Sequence, residues 1–318
     1  VRSNLFYQDV KPHLTELVEE MFRQVPTGVG RSGKYRFDAR ELKRLMAEGP
    51  SRLVERSLAV PSDIDHTEAR GRLDGAEPDN VSERALERGK DQCGTLGSGN
   101  HFMEVQVVDA VFDDEAARSM GLAKDMVCVM IHSGSRGLGY QVCDDALRLL
   151  RGVPEKYGID LPDRQLACAP VESREGEHYL GTMRAAANYA WCNRQLLMWQ
   201  ARETFETIFG RPWEELQMNL VYDVAHNIAK FEEHTIGGRT RRLWVVMSRT
   251  AAIKHAQGRR IDQELKQQGI IARARSWKGL AEEQPAAYKD VSLVVEVVHQ
   301  AGLAKKVARM RPIGVIKG

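Results

Sequence analysis

The sequence predicts a globular protein that mixes helices with short hydrophobic strands. The chain has 318 residues, of which 42% are hydrophobic and 28% are charged, a composition typical of folded proteins. Apolar residues recur at helical spacing between Tyr7 and Phe22, whereas apolar and polar residues interleave from Met103 to Val108, as in a half-buried strand. A chain of this length buries a large core, in one domain or two.

Hydrophobic periodicity and turn residues assign the remaining elements in order. Helices are predicted at residues 7–22, 39–47, 140–151, 178–209, 261–269 and 292–302. Short strands are predicted at residues 103–108, 127–131 and 220–225. Residues 231–244 resemble a β-hairpin with Gly237-Gly238 at its turn.

The glycine-rich stretch from Gln92 to Val108 is the most informative part of the chain. Three glycines and two small hydroxyl residues lead into Asn100 and His101, and a strand follows. Glycine lets the backbone turn tightly and approach a ligand closely. Asn100 and Glu104 are an even number of residues apart, so a regular strand places them on one face. The alternative is an ordinary glycine turn with a hydrogen-bonded histidine.

A histidine stands at or beside the end of each predicted strand. His101 precedes the first strand, His132 follows the second and His226 follows the third. Functional residues cluster where buried strands give way to loops, and three imidazoles could bind one metal ion. The separations of 31 and 94 residues are too long for a local metal motif. That the three histidines meet at one metal ion is therefore a hypothesis. The alternative is that they are ordinary histidines at strand ends.

The second strand is followed by Ser133-Gly134-Ser135-Arg136-Gly137 and then by a predicted helix. Backbone N–H groups in such a strand–turn–helix arrangement can bind phosphate. Arg136 would add a bidentate contact to the anion. The alternative is an ordinary connection that carries a surface arginine.

The distribution of charge and the number of cysteines indicate the kind of partner and the cellular compartment of the protein. Residues 239–318 carry 17 Lys and Arg against 6 Asp and Glu, whereas the whole chain has a net charge of +2. A basic C-terminal region on a near-neutral chain indicates a polyanionic partner, such as nucleic acid or a nucleotide. The five scattered cysteines indicate reduced thiols in a cytoplasmic protein. No apolar run approaches the length of a membrane span.

Six motifs carry a resemblance to a known family. They are GTLGSGNHFMEVQ, MIHSGSRGLGYQV, VYDVAHNIAKFEEH, MSRTAAIK, AYKDV and ARMRPIGVIKG. In this order they closely resemble the RtcB-type RNA-splicing ligases, and the resemblance covers residues 1–318. It implies a single ligase domain with an α+β fold, in which helices surround a mixed β-sheet core.

The resemblance also implies an activity. Members of this family use GTP and manganese to join an RNA end bearing a 2′,3′-cyclic phosphate or 3′-phosphate to a 5′-hydroxyl end. The reaction passes through a guanylylated histidine and serves tRNA splicing or RNA repair. The implied partners are GTP and RNA (tRNA halves or broken RNA ends), with an archease-type activating protein left open and no membrane involved.

Individual residues match family positions of known role. The metal-binding histidines of a two-manganese centre are matched by His101, His132 and His226. Guanylate-pocket positions are matched by Asn100, Glu104, Asn227, Tyr288 and Lys317. Positions that bind RNA or nucleotide phosphates are matched by Arg136 and Arg249. Lys317 is the penultimate residue, and the apolar residues just before it predict that this tail is docked rather than frayed.

The chain departs from the family pattern in two places. The family has a metal motif of the form DINCG upstream of the segment that opens this chain, and that motif does not precede Val1. It also has a long segment containing HRKGATRAFP, GSMGT and CHGAGR, where Val245 here runs directly into Val246. Because the histidine of CHGAGR takes the guanylate, the catalytic nucleophile of this chain is unknown.

Two explanations of these departures are open. The missing segments belong to a longer chain, or the protein is short and catalytically disabled. The first is favoured, because a deletion after Val245 would leave a strand edge without the partners that the family fold supplies. Two alternative functions are also open. One is a non-catalytic RNA-binding relative, and the other is a metal-dependent phosphoesterase that uses the same histidines with water as nucleophile.

Overall fold

A computed structural model describes residues 1–163, 166–236, 239–246, 269–274 and 291–318. Its strands are β1 (Arg2–Phe6), β2 (Phe102–Val111), β3 (Met126–His132), β4 (Ala229–Ile236), β5 (Arg239–Val246), β6 (Ile271–Ala274) and β7 (Ala308–Lys317). Five of them form one sheet in the order β1-β3-β2-β7-β6. Neighbours in this sheet are antiparallel except β6 and β7, which are parallel. The prediction of an α+β fold with a mixed sheet is confirmed.

The helices lie between these strands in the chain. They are α1 (Tyr7–Val10), α2 (Leu14–Gln24), α3 (Ala39–Glu48), α4 (Ser51–Val54), α5 (Pro61–Asp65), α6 (Glu83–Gly89), α7 (Asp114–Ser119), α8 (Arg136–Leu149), α9 (Val153–Lys156), α10 (Arg174–Phe209) and α11 (Val291–Gln300). The helices predicted at 39–47, 140–151, 178–209 and 292–302 are confirmed, with differences of up to four residues at their ends. The predicted helix at 7–22 is divided, because a short 3-10 helix at Lys11–His13 separates α1 from α2. The helix predicted at 261–269 lies almost entirely outside the described residues. None of the described helices combines the length and apolar character that a membrane crossing requires.

Strand β2 runs through the middle of the sheet and is buried on both faces. Met103 and Val105 are fully buried in a hydrophobic core that they share with α2 and α10. The opposite face carries Glu104 and Gln106, which are also buried. Alternation along the strand therefore separates an apolar face, which stabilises the fold, from a polar face that is available for a site.

The C-terminal strand β7 pairs with β2 along almost its whole length. Ile313, Ile316 and Lys317 are fully buried. Gly314 lies so close to Val18 of α2 that a side chain at this position would overlap it. These contacts confirm that the C-terminal tail is docked.

Helix α10 is the longest element and is about 54 Å long at 1.5 Å per residue. Ser173 caps its first turn by accepting a hydrogen bond from Gly176 N, and the helix ends at Gly210 in the left-handed conformation. The helix packs against α2, α3, α8 and β3. Trp191, in the middle of this helix, is 1% exposed and belongs to the core.

Two further predictions concern the segment before β4 and the hairpin that β4 forms with β5. The predicted strand at 220–225 is wrong, because these residues form only an isolated bridge between Asp223 and Thr67. Tyr222 and Val224 are more than half exposed, whereas the Asp223 side chain between them is only 14% exposed. The segment therefore turns a carboxylate inward, and its backbone is not part of either sheet. The hairpin is confirmed by the antiparallel pairing of β4 with β5, which brings Ile236 opposite Arg239.

Candidate functional site

The sheet register brings the three predicted metal-binding histidines together. His132 is the last residue of β3 and lies opposite Phe102, the first residue of β2. His101 directly precedes this strand, and His226 lies in the loop that leads to β4. The ring centroids of His101 and His132 are 6.0 Å apart, and those of His132 and His226 are 5.2 Å apart. Three segments that are distant in sequence therefore deliver imidazoles to one place.

Two cavities meet at these histidines. The smaller one, of about 280 Å³, is bordered by all three histidines and by Asn100 and Asn227. The larger one, of about 680 Å³, includes Phe102 and Gln106 of β2 in its wall. The residues that border both cavities are His132, Ser133, Arg194 and His226. The two cavities therefore adjoin at this shared group.

His101 is held in its neutral form. Burial, together with the positive charges of Arg136 and Lys317 and the neighbouring rings of His132 and His226, lowers its pKa from 6.5 to about 3. Its Nδ1 atom is buried and has no hydrogen-bond partner among the described residues. A buried polar atom without a partner calls for an explanation, and a neutral imidazole nitrogen is a good metal ligand.

The three imidazoles are chemically suited to bind a metal ion, but they do not fill its coordination shell. As the side chains stand, no group of three or more His, Cys, Asp or Glu in the described part of the chain is arranged to hold a metal ion. Three imidazoles normally need a further ligand to fill the coordination shell. Cys93 does not lie with the histidines, because it is fully buried in a hydrophobic cluster with Leu42 and Leu138.

Arg136 braces the glycine-rich turn. Its Nε donates to Thr95 Oγ1 at 2.9 Å, and its Nη2 donates to Leu96 O at 3.3 Å. It begins α8 with a φ of +54°, a strained conformation for a residue with a side chain. The guanidinium thus joins the turn before His101 to the helix after His132, and the contact with phosphate stays a prediction.

The predicted guanylate-pocket residues fall into two groups. Asn100 and Asn227 are exposed at the smaller cavity. Glu104 instead lies within β2, where it accepts a hydrogen bond from Gln106 Nε2 at 2.6 Å. Asn100 precedes the strand, so the expectation that it shares a strand face with Glu104 is wrong.

Lys317 lies beside the histidines at the end of β7. Its backbone is paired with Phe102, which is itself opposite His132. The side chain is fully buried, and its charge contributes to the lowered pKa of His101. Tyr288 and Arg249 lie outside the described residues.

Arg194 is a site residue that the sequence pattern did not reveal. Its Nε donates to both carboxylate oxygens of Asp223, at 2.7 and 3.0 Å, and its Nη1 donates to Ser133 O at 3.2 Å. Burial raises the pKa of Asp223, and the Arg194 charge opposes this shift. The sequence pointed to this site residue only indirectly, because its partner Asp223 lies in the motif VYDVAHN, three residues before His226.

The lowered pKa of His101 predicts a pH dependence of stability. The unfolded chain binds a proton on His101 below pH 6.5, but the folded chain does so only near pH 3. The contribution of His101 to the free energy of unfolding is therefore fully present above pH 6.5. It falls as the pH drops, by at most about 1.4 kcal/mol per pH unit. Urea unfolding at pH 6.5 and 5.0, without divalent metal, measures the loss.

The substitution His101→Gln should remove this part of the pH dependence. The control His13→Gln changes an exposed histidine at the start of α2 and should keep the wild-type pH dependence. Identical pH dependence in the wild type and in His101→Gln would contradict the expectation.

A family model and curated relatives match this chain over its whole length. The model described as tRNA-splicing ligase RtcB matches residues 1–246 and 245–318. A tRNA-splicing ligase RtcB from Archaeoglobus fulgidus is 44% identical, over 100% of this chain and 78% of the relative. One from Thermococcus kodakarensis is 40% identical over the same shares. One from Pyrococcus furiosus is 41% identical, over 100% of this chain and 39% of the relative.

These matches also differ from the chain in length. The alignment with the Archaeoglobus fulgidus relative spans 378 positions, which is sixty more than the 318 residues of this chain. The two stretches of the family model meet at Val245-Val246. Identity near 40% over the full chain, together with the family-model match, establishes the family. The chain belongs to the RtcB family of tRNA-splicing ligases.

Proposed function

We propose that this protein is an RNA ligase of tRNA splicing or RNA repair, which uses GTP and manganese to join 3′-phosphate or 2′,3′-cyclic phosphate ends to 5′-hydroxyl ends. The observation that carries the proposal is the meeting of His101, His132 and His226 at one place in a chain of this family. These three histidines would hold the metal. A bound divalent cation would neutralise phosphate charge and orient the reacting groups.

The residues around the histidines support nucleotide binding. The larger cavity has the size of a small-molecule site, and Phe102 in its wall offers an aromatic ring for a base. Asn100 and Asn227 present amide groups at the smaller cavity. Lys317 is buried beside the histidines, where its positive charge would attract the phosphate groups of a nucleotide.

The charge distribution supports RNA as the substrate. Residues 239–318 have eleven more Lys and Arg than Asp and Glu. Such an excess attracts a polyanion, and binding should weaken as the salt concentration rises. Part of the excess is already paired in the described residues, where Arg309 contacts Asp109 and Lys306 contacts Glu296.

We further infer that the guanylylated histidine belongs to a segment inserted between Val245 and Val246 in the natural-length protein, and that the whole forms a single ligase domain. The two-part family match and the longer alignments of the relatives support this. Intact mass of the protein purified from its source tests it. A mass well above 35.8 kDa is expected, and a mass of 35.8 kDa would overturn the inference.

The function itself is tested with the natural-length protein, GTP, manganese and two RNA fragments. One fragment ends in a 2′,3′-cyclic phosphate and the other begins with a 5′-hydroxyl. A joined product, together with a mass increase of one guanylate on the protein, is the expected result. Phosphate release without joining would favour the phosphoesterase. RNA binding with neither activity would favour the non-catalytic relative.

A further inference from the structure

Asn193 of α10 connects two of the three histidine-bearing segments. Its Oδ1 accepts hydrogen bonds from Gly94 N at 2.7 Å and Thr95 N at 3.1 Å, in the turn that leads to His101. Its Nδ2 donates to Ser133 Oγ at 3.1 Å and Gly134 O at 3.0 Å, directly after His132. The side chain is fully buried, so these bonds do not compete with water and are strong.

The next residue, Arg194, connects the second segment to the third. Its bonds to Ser133 O and to the Asp223 carboxylate span from the end of β3 to the loop that carries His226. The Arg194 and Asp223 side chains are 11% and 14% exposed. The Nε–H group is shared between the two Asp223 oxygens, while Nη1 of the same planar guanidinium bonds Ser133 O, so one rigid group holds both segments.

These two residues act through neighbouring positions on one rigid helix. Arg136 gives a second link between the turn before His101 and the segment after His132. Glu68 also holds the His226 loop, through Ala225 N and Lys230, but it does not contact either of the other segments. Among the described residues, the Asn193–Arg194 pair is thus the element that contacts all three segments.

We propose that Asn193 and Arg194 are positioning residues that set the spacing of His101, His132 and His226 for metal binding. This inference rests on the proposed function, because the metal site is part of it. A ligand set must be held within about 0.5 Å of its working geometry. Residues that orient metal ligands typically change metal affinity by about 10–100-fold when they are replaced.

The helix offers a matched control in Asn188. This residue is also fully buried in α10. Its Oδ1 accepts from Leu73 N at 2.8 Å and its Nδ2 donates to Met46 O at 2.8 Å, but these partners do not belong to the histidine segments. Asn193→Ala and Asn188→Ala should therefore both lower the melting temperature, while only Asn193→Ala should affect the histidines.

The test compares the wild-type chain with Asn193→Ala, Asn188→Ala and Arg194→Lys. Titration with Mn²⁺, followed by electron paramagnetic resonance, gives the metal affinity. Imidazole ¹⁵N NMR without metal reports the histidine rings directly. Affinity at least about tenfold weaker in Asn193→Ala and Arg194→Lys is expected, with Asn188→Ala close to wild type. The ring signals should shift in the same two variants.

Arg194→Lys keeps the charge but loses the planar guanidinium that bonds Asp223 through Nε and Ser133 through Nη1, so it carries the test if Asn193→Ala does not fold. The proposal would be overturned if Asn193→Ala and Arg194→Lys kept the wild-type Mn²⁺ affinity and the wild-type ring signals. It would also be overturned if Asn188→Ala lost as much Mn²⁺ affinity as they do. A wild-type chain that does not bind Mn²⁺ would refute the metal role in the proposed function. The NMR comparison would still decide whether the pair positions the rings.

Discussion

Replacement of Gly97 by alanine is expected to weaken Mn²⁺ binding about a hundredfold. Gly97 has no room for a methyl group, because its Cβ would overlap both Arg136 Nη1 and His101 Nδ1. The histidine ring and the guanidinium that braces the turn must therefore move. Displacement of a functional group by about 1 Å can cost about 10²-fold in function. Titration of the purified variant with Mn²⁺ measures the loss.

The control for Gly97→Ala is Gly210→Ala at the far end of α10. Gly210 has a φ of +63° and no atom within 4 Å of the added methyl. The control should lose about 1–2 kcal/mol of stability from backbone strain and should keep the wild-type Mn²⁺ affinity. Wild-type affinity in Gly97→Ala would show that the close packing around His101 is unimportant.

Asp63→Ala is expected to lower the free energy of unfolding by about 3–5 kcal/mol, because it leaves a buried charge without its partner. Asp63 Oδ1 and Oδ2 accept from Arg202 Nη2 and Nη1 at 2.7 and 2.8 Å. Both side chains are almost completely buried, at 1% and 0% exposed. Arg202 also donates to Met218 O and lies 3.9 Å from the ring centroid of Trp213. Urea unfolding measures the loss.

The matched control breaks an exposed ion pair. Lys43 and Asp79 are 2.7 Å apart, but their side chains are 38% and 90% exposed. Exposed pairs contribute at most about 1 kcal/mol, so Asp79→Ala should be almost neutral. Equal losses in Asp63→Ala and Asp79→Ala would contradict a special role for the buried pair.

Much of the site was predictable because its signals are local. The apolar–polar alternation of β2 and the apolar run of β3 are visible in short windows of sequence, and so are the histidines at the strand ends. Antiparallel pairing of these two strands then brings His101 beside His132. The docked position of Lys317 was predictable from the apolar residues that precede it.

The rest depends on contacts between residues far apart in the chain. Asn193 reaches residues 98 and 99 positions away, and no periodicity of the sequence marks such bonds. The same reason explains the wrong strand at 220–225. Its apolar residues suggested sheet pairing, but the Asp223 carboxylate is fixed by Arg194 and the backbone of this segment pairs only at one bridge.

The most direct test of the central claim is Mn²⁺ binding by the wild-type protein, His132→Ala and His13→Ala. His132 is the middle ring of the three and borders both cavities, whereas His13 lies at the start of α2 against Phe209. A metal centre built from His101, His132 and His226 predicts binding in the wild type and in His13→Ala and its loss in His132→Ala. Equal binding by all three proteins would contradict it.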